Sequence, residues 1–470
     1  MNKKQLTFNQ ALIGFILPLI GVISLVLTGN NIVIALFAAV LIESFYCLLQ
    51  GFQWSDIEDA LIKGGSGMLG AVLIMILVGI MIAVWMASGT IPALLYYGMK
   101  IISPRIFLPV TFILCMLTAL ATGTSWGAAG TMGIALIGVA SGMGMPLPMV
   151  AGAIIAGAII GDKMSPLSDS VLLASASSGT SIFDLIPCMF YTTVPLGIVC
   201  LIAYWIMGLQ YGSSSMDLDS ISQLTNGLSS VFRINVIMLI PLLIVLVMSA
   251  KKCPGFLTFT CGILSGIILA VLFQGQSLNQ VLDYAVNGYV CHSGLDALDS
   301  LLSRGGALSM GQIVFASLMA GMFSGSLKYL GTLDVLMSRL KLVIKNSTSL
   351  VITTVCVCIV LMMGGGGQYS TLTLPGAAFG DFYKEMDVHS AVLGRTMEDV
   401  GTMIEPIIPW TVSGIYYSGL FGVTVAQYFP FTIIAFLSPV LAIVNAIFGF
   451  GIFHCSDPVK YNPFWRRKDR

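Results

Sequence analysis

Residues 161–170, GDKMSPLSDS, set Asp162, Lys163 and Asp169 with Ser165, Ser168 and Ser170 around Pro166, directly behind the almost charge-free run MVAGAIIAGAII. Carboxylate, hydroxyl and carbonyl oxygens are hard ligands of the kind Na+ takes, and a carboxylate can give up such an ion for a proton. Pro166 lacks a backbone donor and disfavours helix at Ser165, while Gly161 permits a break just before it, so carbonyls are released there too. On that chemistry Asp162, Ser165 and Asp169 are the expected Na+ ligands, with Ser168 beside them. Asp162 and Asp169 stand seven residues apart, which is one face of a continuous helix but not of a broken one. A solvated loop between two spans is the plainer reading of the same ten residues.

A second segment, GTMIEPIIPW (401–410), places Thr402 and Glu405 beside a proline in an apolar setting. An acid at membrane depth is by default a functional-site candidate. Two Gly and hydroxyl clusters precede these segments: TALATGTSWGAAG (118–130), with Thr122, Gly123, Thr124 and Ser125, and MMGGGGQYSTLTLPG (362–376), with Gly367, Ser370 and Thr371. Both are expected to be re-entrant tips or unwound helices that face the ion site, the alternative being close helix packing through small residues. GRTMEDVGT (394–402) adds Arg395, Glu398 and Asp399. Arg395 and Asp399 are four apart, the spacing of a structural ion pair as well as of a transport pair.

The elements that hold these residues must lie in a bilayer. Of 470 residues 57% are hydrophobic and 9% charged, against roughly 25% charged in soluble domains. Stretches such as ALIGFILPLIGVISLVLT (11–28) and AVLIMILVGIMIAVWMASG (71–89) approach the roughly 20 residues that cross a bilayer as helix. The first is expected to be the first span rather than a cleaved signal. Zero formal charge, with no basic cluster of nucleic-acid type interrupting the spans, argues against nucleic acid as a partner. No GxxxxGK[ST] loop is present, His292, His389 and His454 are scattered, and the ten Cys sit mostly in apolar runs. These features argue against ATP-driven work, an enzyme or a resident cofactor, and leave Na+, H+ or a small organic solute as the partner, with a homodimer as one possible assembly.

The sequence is written twice. SDIEDALIKGG (55–65) matches DALDSLLSRGG (296–306), Gly89 matches Gly331, and Gly161 and Pro166 match Gly401 and Pro406, all displaced by about 240 residues. The expected organisation is a first repeat over 1–208, an extracytoplasmic linker over 209–233, a second repeat over 234–453 and a basic cytoplasmic tail over 454–470. Lys3 and Lys4 put the N-terminus inside, and the acidic linker goes outside. The second copy then runs inverted, with Lys251, Lys252, Arg339, Lys341, Lys345 and the tail WRRKDR inside; Lys100 and Arg105 fall on the wrong side. The expected fold is therefore an all-α polytopic membrane protein, two inverted-topology repeats with broken or re-entrant helices and about 10–14 spans.

GTSWGAAGTMGIALIG, GDKMSPLSD, YTTVP (191–195), LPG, RTMEDVGT and IPW together resemble the NhaC-type Na+/H+ antiporters, a family with malate/lactate-exchanging relatives. The resemblance spans nearly the whole chain. It implies a bacterial inner-membrane secondary transporter with both termini cytoplasmic. Ion handling would fall to Thr122–Trp126, Asp162–Asp169 and Glu398–Trp410. Ser170, Leu172 and Glu405 depart from the family pattern, which has Ser or Thr where Glu405 stands. Na+/H+ antiport by alternating access is the leading expectation, and coupled exchange of an organic solute received by Glu405 or Arg395 is the alternative.

Overall fold

The structure, a computed structural model, describes residues 6–28, 30–101, 103–166, 168–212, 218–251, 253–294, 298–299, 302–303, 305–333, 335–336, 344–365 and 367–462. The chain is an all-α polytopic membrane protein. The first half comprises α1 (Phe8–Leu27), α2 (Ile32–Leu49), α3 (Trp54–Ser66), α4 (Leu69–Ala87), α5 (Thr90–Ile101), α6 (Pro104–Thr122), α7 (Ser125–Ala128), a π-helical turn (Ala129–Gly133), α8 (Ile134–Gly142), α9 (Leu147–Met164), α10 (Asp169–Ser178) and α11 (Ile182–Leu209). After α12 (Leu218–Val231) come α13 (Ile240–Ala250), α14 (Gly255–Leu272), α15 (Leu278–Asn287), α16 (Gly311–Tyr329), α17 (Ser347–Met363), α18 (Gly367–Glu385), α19 (Ser390–Gly401), α20 (Val412–Phe421), α21 (Val425–Tyr428) and α22 (Ile433–Phe448). Among the described residues eight helices are long and apolar enough to cross a membrane, or up to ten if each of two bent pairs is one span. That range meets the lower end of the expected span count.

Exposed Leu, Ile, Val and Phe cover the outer helices, whereas α9 is buried through most of its length. Its small residues explain how it reaches the centre. Gly157 and Gly161 lie one turn apart and meet the α6 backbone at Phe112 and Met116 so closely that a Cβ at either would overlap a carbonyl oxygen. Helices in lipid associate through this kind of small-residue contact.

The depth of the GDKMSPLSDS break follows from helix geometry. Tyr204 of α11 donates to the Gly152 carbonyl at 3.3 Å, and Lys163 Nζ donates to Thr192 Oγ1 at 3.4 Å, so α9 and α11 run antiparallel. Beyond the break, Ser178 of α10 and Leu185 of α11 flank the same Gly394. Thus α9 and α10 form one interrupted helix beside α11, whose 28 residues run without interruption; at 1.5 Å per residue α11 is about 42 Å long, and the break faces it about 15 Å from one end. Backbone at that depth is broken only where protein or a wet cavity satisfies it.

Lys3, Lys4, Lys252, Arg339, Lys341, the tail WRRKDR and most of 296–304 lie outside the described residues. So does part of the linker, Asp217 included.

Candidate functional site

Two helix tips and two helix breaks meet at this depth. The first tip, Thr122–Ser125, turns at Gly123 (φ 69°), a left-handed conformation that glycine adopts without strain. Its Ser125 N–H donates to Asp162 Oδ2 at 3.0 Å, and Ser165 Oγ donates back to the Leu120 carbonyl at 2.8 Å. The second tip, at Gly364, Gly365 and Gly367, meets the second break through the residues on either side of it. Gln368 Nε2 donates to Thr402 Oγ1 at 2.8 Å, and Trp410 Nε1 donates to the Met363 carbonyl at 2.9 Å.

The two halves then join through aromatic and hydroxyl groups. Trp126 Nε1 donates to Ser413 Oγ at 3.0 Å, and Ser413 Oγ donates to Glu405 Oε2 at 2.6 Å. The Trp126 ring stacks on Tyr416, 4.8 Å between centroids, and Tyr416 donates to the Trp126 carbonyl at 3.1 Å. Helix α10 packs on α18 and α19, which completes the enclosure.

Three buried acids line this junction. Asp162 keeps Oδ1 free of any hydrogen-bond partner, and Glu398 keeps Oε1 free while Oε2 accepts from Thr402 Oγ1 at 2.5 Å. Glu398 and Glu405 both interact electrostatically with Asp162. Among the described residues no three His, Cys, Asp or Glu side chains converge closely enough to hold a metal ion by themselves. An ion here would take one carboxylate together with hydroxyl and carbonyl oxygens.

Back to back with the acids stands an ion cluster. Lys163 and Asp399 form an ion pair with both side chains fully buried, and Arg395 Nε lies 3.8 Å from Asp399 Oδ2. Asp399 Oδ1 also accepts from Thr192 Oγ1 at 2.6 Å and from Ser438 Oγ at 3.3 Å. Adjacent residues thus face opposite ways. Asp162 and Glu398 turn toward the tips, and Lys163 and Asp399 turn toward α11 and α22.

The predicted residues divide accordingly. Ser125, Asp162, Glu398, Thr402 and Glu405 come together, and Ser168 is buried beside them, its hydroxyl 3.0 Å from that of Ser170. Thr122, Thr124 and Thr371 spend their hydroxyls on nearby backbone, and Ser370 is buried in the first turns of α18. Gly367 turns at φ 61°, and a Cβ there would lie 3.9 Å from Glu405 Oε1. Asp169 is exposed at the start of α10, and Asp399 belongs to the ion cluster. Within the trio Asp162, Ser165 and Asp169, Ser165 spends its hydroxyl on the Leu120 carbonyl of α6, while Asp169, exposed at the start of α10, still acts electrostatically on Asp162. Trp126, Thr192, Gln368, Ser413 and Tyr416 carry no charge and no special spacing, so only Trp126 and Thr192, inside GTSWG and YTTVP, were signalled by sequence.

The sequence matches the Na+/H+ antiporter family over residues 1–180 and 157–450. It is 36% identical over 416 residues to the malate-2H+/Na+-lactate antiporter of Bacillus subtilis (strain 168), covering 88% of this chain and 89% of that one. It is 34% identical over 451 residues to the Na+/H+ antiporter NhaC of Alkalihalophilus pseudofirmus, covering 94% and 97%. The arginine/ornithine antiporter ArcD of Halobacterium salinarum is 31% identical over 462 residues, covering 96% and 94%. With its broken helices, buried acids and full-length relatives, the chain belongs to the Na+/H+ antiporter family.

Proposed function

We propose that this protein is a secondary active Na+/H+ antiporter whose exchanged ions compete for Asp162. The observation that carries the reading is the Asp162 carboxylate itself. It is buried at a helix break, anchored on one oxygen by the Ser125 N–H and unpartnered on the other. An unpaired charge at that depth is unstable, so Oδ1 calls for Na+ or H+ and the two exclude each other. Ser168, Ser170 and the carbonyls of the break supply neutral oxygens, Glu398 and Glu405 add charge from the other half, and Asp169 marks the mouth.

The two-repeat organisation has support in the element ranges. Helices α6, α7–α8, α9 and α10 have counterparts in α17, α18, α19 and α20 at about the same displacement as the sequence landmarks, similar in length except that α19 has 12 residues where α9 has 18. Each half contributes one tip and one break, the arrangement in which rocking of one half against the other exposes a fixed site alternately. Cytoplasmic termini in a bacterial inner membrane fit this topology.

Proteoliposomes holding the purified protein and a pH gradient test the reading. NaCl added without any organic solute is expected to dissipate the gradient, whereas KCl at equal strength is not. A gradient indifferent to Na+ would overturn it.

A second reading, coupled exchange of an organic solute, is favoured by Glu405. This acid joins a hydroxyl and the Trp126–Tyr416 stack, and a carboxylate beside an aromatic face is suited to an ammonium group. Glu405→Thr is then expected to weaken stabilisation by a basic amino acid about tenfold or more while leaving stabilisation by Na+ in place. Thermal unfolding in detergent across a ligand series measures both, and equal solute affinity in the variant would reject this role.

A further inference from the structure

Among the described residues one buried acid lies outside both this site and the ion cluster behind it. Glu43 stands within α2, six residues before its C-terminal end and fully buried. Among the described residues its one hydrogen-bond partner is Cys47 Sγ, 3.6 Å from Oε1, and Oε2 has none. Among the described residues no charged side chain compensates it; burial and Cys47 act on the carboxyl. Helix α1 brings Gln10 and Gly14 to this face and has no ionisable residue. Helix α16, also packed on α2, carries Lys328 and Tyr329, which pair as cation and ring at 5.6 Å. Helix α3 carries Asp56, Glu58, Asp59 and Lys63, of which Asp59 and Lys63 pair at 4.0 Å.

Two contacts tie this carboxyl to the rest of the molecule. Toward the surface, Tyr46 beside it donates to the Gln10 carbonyl at 2.8 Å, and Gln10 Nε2 donates to Gln50 Oε1 at 2.6 Å at the end of the α1–α2 hairpin. Toward the centre, a Cβ on Gly14 would lie 3.8 Å from Glu43 Oε2, and the next residue, Phe15, sets its ring against Gly364 of the second tip. That tip is the one that holds Thr402 and flanks Glu405.

We propose that Glu43 is a second proton-binding site of the exchanger, reached from the α1–α2 end past the hydrogen-bonded Tyr46, Gln10 and Gln50, which close that end, and sensed by the ion site through Phe15 and Gly364. With no cation in reach among the described residues, this carboxyl has no ionised partner there, and a proton is the ligand it takes. Gaining or losing that proton changes what Gly14 and Phe15 pack against, and with it the seating of the glycine tip.

The use made of the proton rests on the antiport reading, so the test has two independent arms. In native membranes at neutral pH, dicyclohexylcarbodiimide, an apolar reagent for protonated carboxyls within bilayers, is expected to modify Glu43, read by mass spectrometry of the α2 peptide, with no protection by Na+. In proteoliposomes, Glu43→Gln is expected to move the pH profile of Na+-driven exchange by about one unit, with Glu43→Asp restoring part of the shift. Tyr46→Phe, which keeps the ring and removes the link to Gln10, should move the profile as well, and it stands in for the glutamine variant if that one does not fold. An unmodified Glu43, or profiles that superimpose on wild type, would overturn the proposal. Modification of Glu43 in a protein that shows no Na+/H+ exchange would keep the proton site and sink the antiport reading instead.

Discussion

Asp162→Asn is expected to abolish Na+-dependent dissipation of a pH gradient in everted vesicles, down to the background of vesicles that lack the protein. The amide oxygen can still accept the Ser125 N–H, which bonds to Asp162 Oδ2 at 3.0 Å in the native chain, so the tip and the break keep their contact. What disappears is the charge on the unpartnered oxygen. An amide neither neutralises Na+ nor takes up a proton near neutral pH, so both halves of the exchange cycle fail together. Folding should not suffer. Removing an unpaired buried charge leaves thermal stability unchanged or raises it by about 1 kcal/mol, offset in part by the new NH2 group that needs a partner. Asp162→Glu is the companion variant: its charge survives in a longer side chain, so exchange should persist with weakened Na+ affinity. Full exchange by Asp162→Asn would transfer the ion-binding role to Glu398 or Glu405.

The residues that define the site differ in how far sequence discloses them. The spans and the two breaks are legible because each is a local property: apolar runs long enough to cross, then glycine, proline and hydroxyls that no lipid-facing helix tolerates. Glu405 is legible for the same reason; Glu43, a lone acid in the run IVIALFAAVLIESFYCLL, carries the same signal and was missed. The pairing of Asp162 with Asp169 was the spacing of an unbroken helix. Extended backbone at Ser165 (ψ 124°) and Ser168 (ψ 132°) removes that register and leaves Asp169 exposed at the start of α10. The bond from Trp126 to Ser413 and the ion pair of Lys163 with Asp399 join residues more than 200 positions apart. No local pattern encodes such partners. The i,i+4 pair of Arg395 with Asp399 was legible, and the structure adds the lysine that makes it a triad.

Lys163→Met is expected to destabilise the protein by about 3–5 kcal/mol, the usual cost of removing one member of a buried ion pair. Asp399 would keep its bonds from Thr192 and Ser438, but Arg395 at 3.8 Å would be its one remaining cation. Asp399→Asn should cost at least as much, since it leaves two buried cations, and two Arg395 nitrogens already lack hydrogen-bond partners in the native chain. Combining the two variants removes the mismatch between Lys163 and Asp399. The double variant is therefore expected to be more stable than the sum of the singles by about 1–3 kcal/mol, as contacting charges are coupled. Thermal unfolding of the four proteins in detergent measures that coupling. Transport should respond differently. Because Lys163 adjoins Asp162 and Asp399 adjoins Glu398, the ion pair sets the rotation of α9 against α19 and so the way the two site acids face each other. Exchange is then expected to remain low in the double variant although its stability recovers. Recovery of both would make the pair a structural contact alone, and additive losses would mean that Lys163 and Asp399 act on different partners.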